Sequence, residues 1–142
     1  MKTLTKRQLQ KRATALKHKE ERKIKRDSRR LKREQRQIWR EAIIKRDNNK
    51  CQLCRKDLSS CNPIARQVHH LLDKRNFKEL ITNIDNGILL CYRCHRVGKY
   101  SAHMNAVFFS NWLKKNKPHQ YNFVMSYLKL VVHDGNLSEQ HK

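Results

Sequence analysis

The sequence has 142 residues, enough for one compact domain and an appendage, and it carries a formal net charge of +22. A charge of this size opposes compaction and indicates a polyanionic partner, and nucleic acid is favoured because no apolar run approaches the ~20 residues of a membrane-spanning helix. The N-terminal residues lack the apolar segment of a secretory signal, so we expect an intracellular, cytoplasmic protein.

Residues 1–50 hold most of the positive charge, with 20 Lys and Arg against 6 Asp and Glu, and they contain no Gly or Pro. This composition predicts a mostly helical segment over residues 5–47. The apolar residues of its N-terminal part recur every seven or eight positions, but the second apolar position of each heptad holds Ala or an acidic residue. A coiled coil needs both positions, so we expect a single helix.

The run of one charge sign predicts that residues 1–37 form a nucleic-acid-binding arm, which we favour over a merely solvated or disordered tail. From residue 38 onward, IWREAII has enough apolar residues to pack against a core. The candidate DNA-binding residues of the arm are Lys11, Arg12, Lys23, Lys25, Arg26, Arg29, Arg30, Lys32 and Arg33.

Four of the five cysteines form two C-x-x-C pairs, CQLC at residues 51–54 and CYRC at residues 91–94. An odd number of cysteines in a non-secreted chain argues against a disulfide framework. Two such pairs can supply the four thiolates of a closed tetrahedral site, so the sequence predicts structural Zn²⁺ bound by Cys51, Cys54, Cys91 and Cys94. Cys61 is left as an unligated thiol.

Between the cysteine pairs, IARQVHHLL and GILLC each read as a strand, separated by a loop, so a hairpin could be pinned at its base by the metal. The segment YRCHRVGKYSAH is expected to open a helix. AVFFSNWL and YNFVMSYLKLVV show helical spacing, with KKNKP as a breaker and Asp134-Gly135 as the end of the last helix. We expect their aromatic and Met side chains in the core: Phe108, Phe109, Trp112, Phe123, Met125 and Tyr127.

The order RDNNKCQLC, VHH, DNGILLC and CYRCH, over about residues 46–100, resembles the HNH nucleases. Their site is a ββα-metal unit, a hairpin and a helix around one divalent cation. The resemblance implies that His70 is the general base and that His69 and His95 bind the catalytic ion, Mg²⁺ or Mn²⁺. It also implies that Asn86 fixes the loop between the strands and helps to orient His70. Adjacent strand residues point to opposite faces, so His69 and His70 need different roles.

One departure concerns a third metal-binding histidine. His-His members of the family carry one four residues after the position of His95, but here that position is Lys99. His103 lies eight residues after His95, roughly 12 Å along a continuous helix. We therefore predict a two-histidine site, with His103 structural or facing DNA, and we treat Asp73 as a loop residue.

The resulting fold class is mainly α with a small β-hairpin, a ββα-metal core with four-cysteine zinc knuckles, a long basic N-terminal helix and C-terminal helices. The predicted divisions are an arm over 1–37, a nuclease core over 38–104 and a helical extension over 105–142. The predicted function is a metal-dependent endonuclease acting on double-stranded DNA, of homing or phage type, with no membrane or small-molecule partner and with oligomeric state left open. The alternative is a non-catalytic zinc-knuckle protein that binds DNA or RNA.

Overall fold

A computed structural model of the protein describes residues 5–133, with side chains described through residue 130. Its helices and strands are α1 Lys6–Arg46, β1 Arg66–His70, β2 Gly87–Cys91, α2 Ala106–Asn116 and α3 Pro118–His133. This arrangement confirms the predicted fold class, mainly helical with one antiparallel hairpin. The described backbone divides into two compact units, with the boundary between residues 37 and 38. Among the described residues, no helix is both long and apolar enough to cross a membrane.

The first unit is the N-terminal part of α1, hereafter the arm. The helix begins with a reciprocal cap: Thr5 N–H donates to Gln8 Oε1 at 2.9 Å, and Gln8 N–H donates to Thr5 Oγ1 at 3.4 Å. From residue 5 to residue 37 every side chain is exposed except that of Asp27, which is half-buried. The helix here is therefore supported by helix propensity and capping, and not by buried apolar surface.

The second unit begins with the last turns of α1. Trp39 and Ile43 are buried against β2, and Gly87 is what allows this close approach. A Cβ at Gly87 would lie 2.7 Å from Trp39 Cζ2 and 2.8 Å from Ile43 Cδ1. The helix ends at Arg46, and Asn48 and Asn49 then adopt left-handed conformations with φ 53°. Asn tolerates this conformation better than most residues do, so the chain can reverse directly into the first cysteine pair.

The two strands pair in antiparallel register, with Arg66 opposite Cys91 and His70 opposite Gly87. Every residue of β2 is buried, whereas every residue of β1 is half-buried. The buried Asp47 carboxylate accepts the Leu89 N–H at 2.8 Å, so β2 is hydrogen-bonded beyond its pairing with β1. The Gln52 N–H also donates to Leu89 O at 2.9 Å, so residues that follow α1 bond the edge of β2 where a third strand would otherwise lie.

The C-terminal helices complete the core. Asn105 caps α2 by accepting the Phe108 N–H at 2.9 Å, and Phe109 and Leu113 of α2 enter the same apolar cluster as β2. Of the aromatic and Met residues predicted in the core, Phe109 is buried and the others are half-buried. The predicted breaker is shorter than expected, because α2 continues through Asn116 and only Lys117 separates it from α3. The predicted stop at Asp134-Gly135 lies outside the described residues.

Candidate metal centres

The two C-x-x-C pairs come together, as predicted. Cys51 and Cys54 lie in a tight turn after α1, closed by the Cys51 N–H donating to Lys56 O at 2.9 Å. Cys91 ends β2, and the Cys94 N–H donates to Cys91 Sγ at 3.5 Å. The four sulfur atoms lie within 4.8 Å of one another. The sequence pairs therefore form one four-sulfur group at the base of the hairpin.

The spacing and chemistry of this group fit a tetrahedral zinc ion. Cys54 Sγ and Cys91 Sγ are 3.8 Å apart, and tetrahedral coordination at about 2.3 Å places two sulfurs roughly 3.8 Å apart. Burial raises the pKa of the Cys51 thiol to about 11, and burial followed by the charge of Cys51 also raises the pKa of Cys94. Without a cation the Cys51 and Cys94 thiols resist deprotonation, so Zn²⁺ would supply the charge that stabilises four thiolates together.

Three histidines from different elements form a second group, hereafter the His cluster. His69 lies on β1, His95 in a single π-helical turn over Arg93–Val97, and His103 in the loop before α2. His95 Nε2 is 3.2 Å from His69 Nδ1 and 3.2 Å from His103 Nε2. One ring nitrogen from each residue lies within 4.8 Å of the other two.

Hydrogen bonding alone does not satisfy the His cluster. His95 Nε2 offers either one proton or one lone pair, yet two other ring nitrogens approach it at hydrogen-bonding distance. Two nitrogens bound at about 2.1 Å to one ion lie roughly 3.0–3.4 Å apart, which matches both observed distances. The His cluster therefore has the donor atoms and the spacing to hold one divalent cation.

Burial keeps the rings of His69 and His95 neutral. The pKa of His69 is lowered to about 3, first by burial and then by the neighbouring His95 and His103. Burial also lowers the pKa of His95 to about 4, with smaller effects from His103 and Arg96. Because only neutral imidazole binds a metal ion, both rings are in the ligating form at neutral pH.

The prediction that His103 lies too far from His95 to share an ion is wrong. It assumed one continuous helix between the two residues. Instead the π-helical turn ends before Gly98, whose N–H donates to Arg93 O at 2.8 Å, and the chain folds back. The His103 N–H then donates to His95 O at 3.2 Å, which brings the two rings together. Gly98 within GKYSA was the sequence signal for this reversal.

His70 has different surroundings from its neighbour His69, as the alternation of a strand requires. Its ring stacks on Trp39 with centroids 4.3 Å apart and an angle of 18° between the planes. His70 Nε2 is 2.9 Å from Ile81 O. A carbonyl oxygen only accepts, so Nε2 carries the proton, and in the neutral ring Nδ1 carries the lone pair. Sequence reasoning placed Trp39 in the core and did not find its contact with His70.

Asn86 is fully buried and holds the loop between the strands. Its Oδ1 accepts the Leu72 N–H at 2.7 Å, and its Nδ2 donates to Leu80 O at 3.0 Å. Leu80 directly precedes Ile81, the residue whose carbonyl contacts His70. These contacts are those of a loop-fixing residue one step removed from the histidine, and a role of Asn86 in catalysis stays a prediction.

The His cluster and His70 line one open cavity of about 590 Å³, hereafter the His cavity. Two exposed cations, Lys74 and Arg96, also line it, and they would complement a phosphate. Asp73 also lines the cavity, but its carboxylate accepts the Arg75 N–H at 3.3 Å and is not among the clustered donor atoms. The cavity thus brings together His69, His70 and His95, as predicted, and adds His103.

The nine candidate DNA-binding residues of the arm all lie on one side of α1. At about 100° per residue they occupy roughly half of the circumference of the helix. The opposite side carries the exposed apolar residues Leu9, Leu16, Ile24 and Leu31, together with acidic residues Glu20, Asp27 and Glu34. The arm therefore presents a cationic face without carboxylates along it, and DNA binding by that face stays a prediction.

Comparisons of the chain with protein families, with curated proteins and with solved structures give no significant match. A four-sulfur group and a His cluster beside a β-hairpin are compatible with a ββα-metal unit. The geometry of these two groups is consequently the basis on which a function can be assigned.

Proposed function

We propose that the protein is a metal-dependent endonuclease of the HNH type that hydrolyses phosphodiester bonds in DNA. The observation that carries the proposal is the single cavity in which the His cluster and His70 meet. The His cluster offers lone pairs to a cation. His70 has a tautomer fixed by its hydrogen bond to Ile81 O, with the lone pair on Nδ1. A protein that only bound nucleic acid would need neither of these features.

The residues of the cavity divide the chemistry between them. His69, His95 and His103 would hold one divalent cation, which supplies stabilisation of charge on the scissile phosphate and on the leaving 3′-oxygen. His70 accepts the proton of the attacking water at Nδ1, because its Nε2 proton is committed to Ile81 O. Stacking on Trp39 holds the ring in place during that transfer. Lys74 and Arg96 bind non-bridging phosphate oxygens.

The third histidine changes which ion the site should prefer. Mg²⁺ favours oxygen ligands, whereas imidazole suits borderline transition metals. Three nitrogen donors within 4.8 Å of one another therefore favour Mn²⁺, Zn²⁺ or Ni²⁺ over Mg²⁺ as the working ion. This replaces the preference for Mg²⁺ or Mn²⁺ that a two-histidine site would have.

The test is the conversion of supercoiled plasmid to nicked or linear DNA by purified full-length protein. Each divalent ion is added singly, and a parallel reaction contains a chelator. We expect cleavage with a transition metal, and its loss in His69→Ala and in His70→Ala. The matched control is His119→Ala, since His119 is exposed, lies 3.7 Å from the Asp85 carboxylate and does not line the cavity. Folded, zinc-containing protein that binds DNA but leaves plasmid intact with every ion would instead support the non-catalytic alternative.

A further inference from the structure

A second cavity, hereafter the aromatic groove, lies beside the four-sulfur group and encloses about 940 Å³. Four aromatic side chains line it: Tyr92, Tyr100, Phe108 and Trp112. Tyr92 and Tyr100 are each 51 % exposed. The rings of Tyr100 and Phe108 have centroids 4.8 Å apart and form one continuous apolar wall. Half-exposed aromatic rings around an open groove are unusual in a core and typical of a binding surface.

The charges at the groove have one sign. Lys56, Arg93 and Lys99 line it and are exposed, while no Asp or Glu is among its described lining residues. Lys99 Nζ lies 5.5 Å from the centroid of the Tyr100 ring, within the range of a cation–π contact. An apolar aromatic wall beside cations complements a ligand that is flat, aromatic and attached to phosphates. A nucleotide within a strand has this chemistry.

The groove and the His cavity lie along the same short element. Arg93 and Cys94 of the π-helical turn line the groove, and the next two residues, His95 and Arg96, line the His cavity. A single strand of nucleic acid that follows this turn would therefore contact both cavities. Its bases would meet the aromatic wall, and a phosphate a short distance along the strand would meet the histidines.

We propose that the aromatic groove binds an unpaired nucleobase of a nucleic-acid strand, with the base stacked on Tyr100 and the flanking phosphates on Arg93 and Lys99. The inference rests on and extends the proposed nuclease function, because it makes an unpaired base next to the cleaved bond part of the substrate. Single-stranded DNA, or duplex that is locally opened, would be bound in this way. An acidic peptide is the competing occupant, and the test separates the two.

The experiment compares two ligands of equal length and charge, a short oligothymidine and an abasic deoxyribose-phosphate chain. Both are titrated against full-length protein at one salt concentration, without added divalent ions, so that cleavage plays no part. Phosphate contacts are available to the protein equally in both ligands, and the ratio of the two affinities therefore isolates the contribution of the bases. We expect oligothymidine to bind roughly tenfold or more tightly than the abasic chain, the usual effect of base–aromatic stacking.

The variant is Tyr100→Leu, which keeps an apolar contact with Phe108 but removes the flat ring. Tyr127→Leu is the matched control, because Tyr127 packs on Phe77 and Phe123 and does not line the groove. We expect Tyr100→Leu to bring the affinity ratio close to one and Tyr127→Leu to leave it unchanged. Tyr92→Leu serves as a second variant if Tyr100→Leu does not fold with zinc bound.

Two results would overturn the inference. One is an abasic chain that binds wild-type protein as tightly as oligothymidine does, which would indicate a different occupant such as an acidic peptide. The other is an equal loss of base preference in Tyr100→Leu and Tyr127→Leu. Because the assay needs no catalysis, a protein that prefers bases but never cleaves would refute the nuclease and leave the groove assigned. Cleavage without base preference would refute the assignment of the groove and leave the nuclease function in place.

Discussion

In the arm, residues 5–37, only Asp27 is even half-buried, whereas residues 38–130 bury a cluster of apolar side chains around β2. Both regions share the single helix α1, so the local backbone is the same and only the surroundings differ. There are 16 Lys and Arg in residues 1–37. Where packing is absent, a helix is held by propensity and by whatever binds its charges. Helical structure alone therefore does not define the folded core of this protein.

Removal of zinc should give the largest loss of stability, and only in residues 38–130. A structural zinc site contributes about 10–16 kcal/mol to folding, as much as the total stability of an ordinary domain. Cys54→Ser should therefore lose protection of core amides in hydrogen exchange, while the arm amides, whose helix no buried contact supports, exchange as before. Elemental analysis should find at least one tightly held zinc per chain in wild type. Folded protein without zinc in that analysis would refute the site.

Cys61→Ser is the matched control for this experiment. Cys61 Sγ has only a weak interaction with Asp57 O at 3.9 Å, and it is not among the four clustered sulfurs. Its substitution should leave zinc content and core protection unchanged. A loss of zinc in Cys61→Ser as large as that in Cys54→Ser would show that the ligand set is assigned wrongly.

Substitutions in the His cavity should have the next largest effect, a loss of cleavage rate. They should separate the role of the general base from that of the metal ligands. His70→Ala should lower the cleavage rate by about 10²–10⁴-fold, with DNA and metal binding nearly intact and no recovery at high metal concentration. His103→Ala should instead weaken the cation site, so added Mn²⁺ should restore part of the rate. The measurement is cleavage rate against metal concentration. A His103→Ala protein with wild-type metal dependence would show that His103 is not a ligand and that the site has two histidines, His69 and His95.

Local pattern was enough to predict the hairpin strands, the α1 helix and the two C-x-x-C pairs, because each depends on residues that are near neighbours in sequence. The position of His103 depends instead on a chain reversal at Gly98, which a straight helical extrapolation misses. The stack of Trp39 on His70 joins residues that are far apart in the sequence. It needs the absence of a Cβ at Gly87, and no periodicity in the sequence encodes such a three-way arrangement.

For Phe108 and Trp112 the sequence predicted more burial than the structure shows. Their helical spacing in α2 is that of core residues, and Phe109 between them is indeed buried. Both are only half-buried because they line the aromatic groove. Sequence spacing tells which residues share a helix face, but it does not tell whether another element covers that face.

Removal of residues 1–37 should test whether the arm is separable from the core. The arm buries almost no apolar surface, so the shortened protein should remain folded and zinc-loaded. Every phosphate that the arm neutralises adds about 0.9 to the slope of log affinity against log salt, so the shortened protein should have the shallower slope. Titration of duplex DNA at several salt concentrations, with both proteins, gives the two slopes. An unchanged slope would show that the arm does not bind phosphates, and an unfolded product would show that the arm is needed by the core.

The smallest effect should come from one matched pair of substitutions on α1. Ile43 is fully buried and Ile24 is 61 % exposed, so Ile43→Val and Ile24→Val remove the same methylene from one helix in different surroundings. Deleting a buried methylene of this kind costs about 0.5–1.5 kcal/mol, whereas an exposed site changes stability by less than ~0.5 kcal/mol. Urea denaturation of zinc-loaded protein should therefore shift to lower concentration for Ile43→Val and hardly move for Ile24→Val. Equal shifts for the two variants would mean that the apolar side of the arm is buried in solution. The difference in burial between the arm and the core would then be refuted.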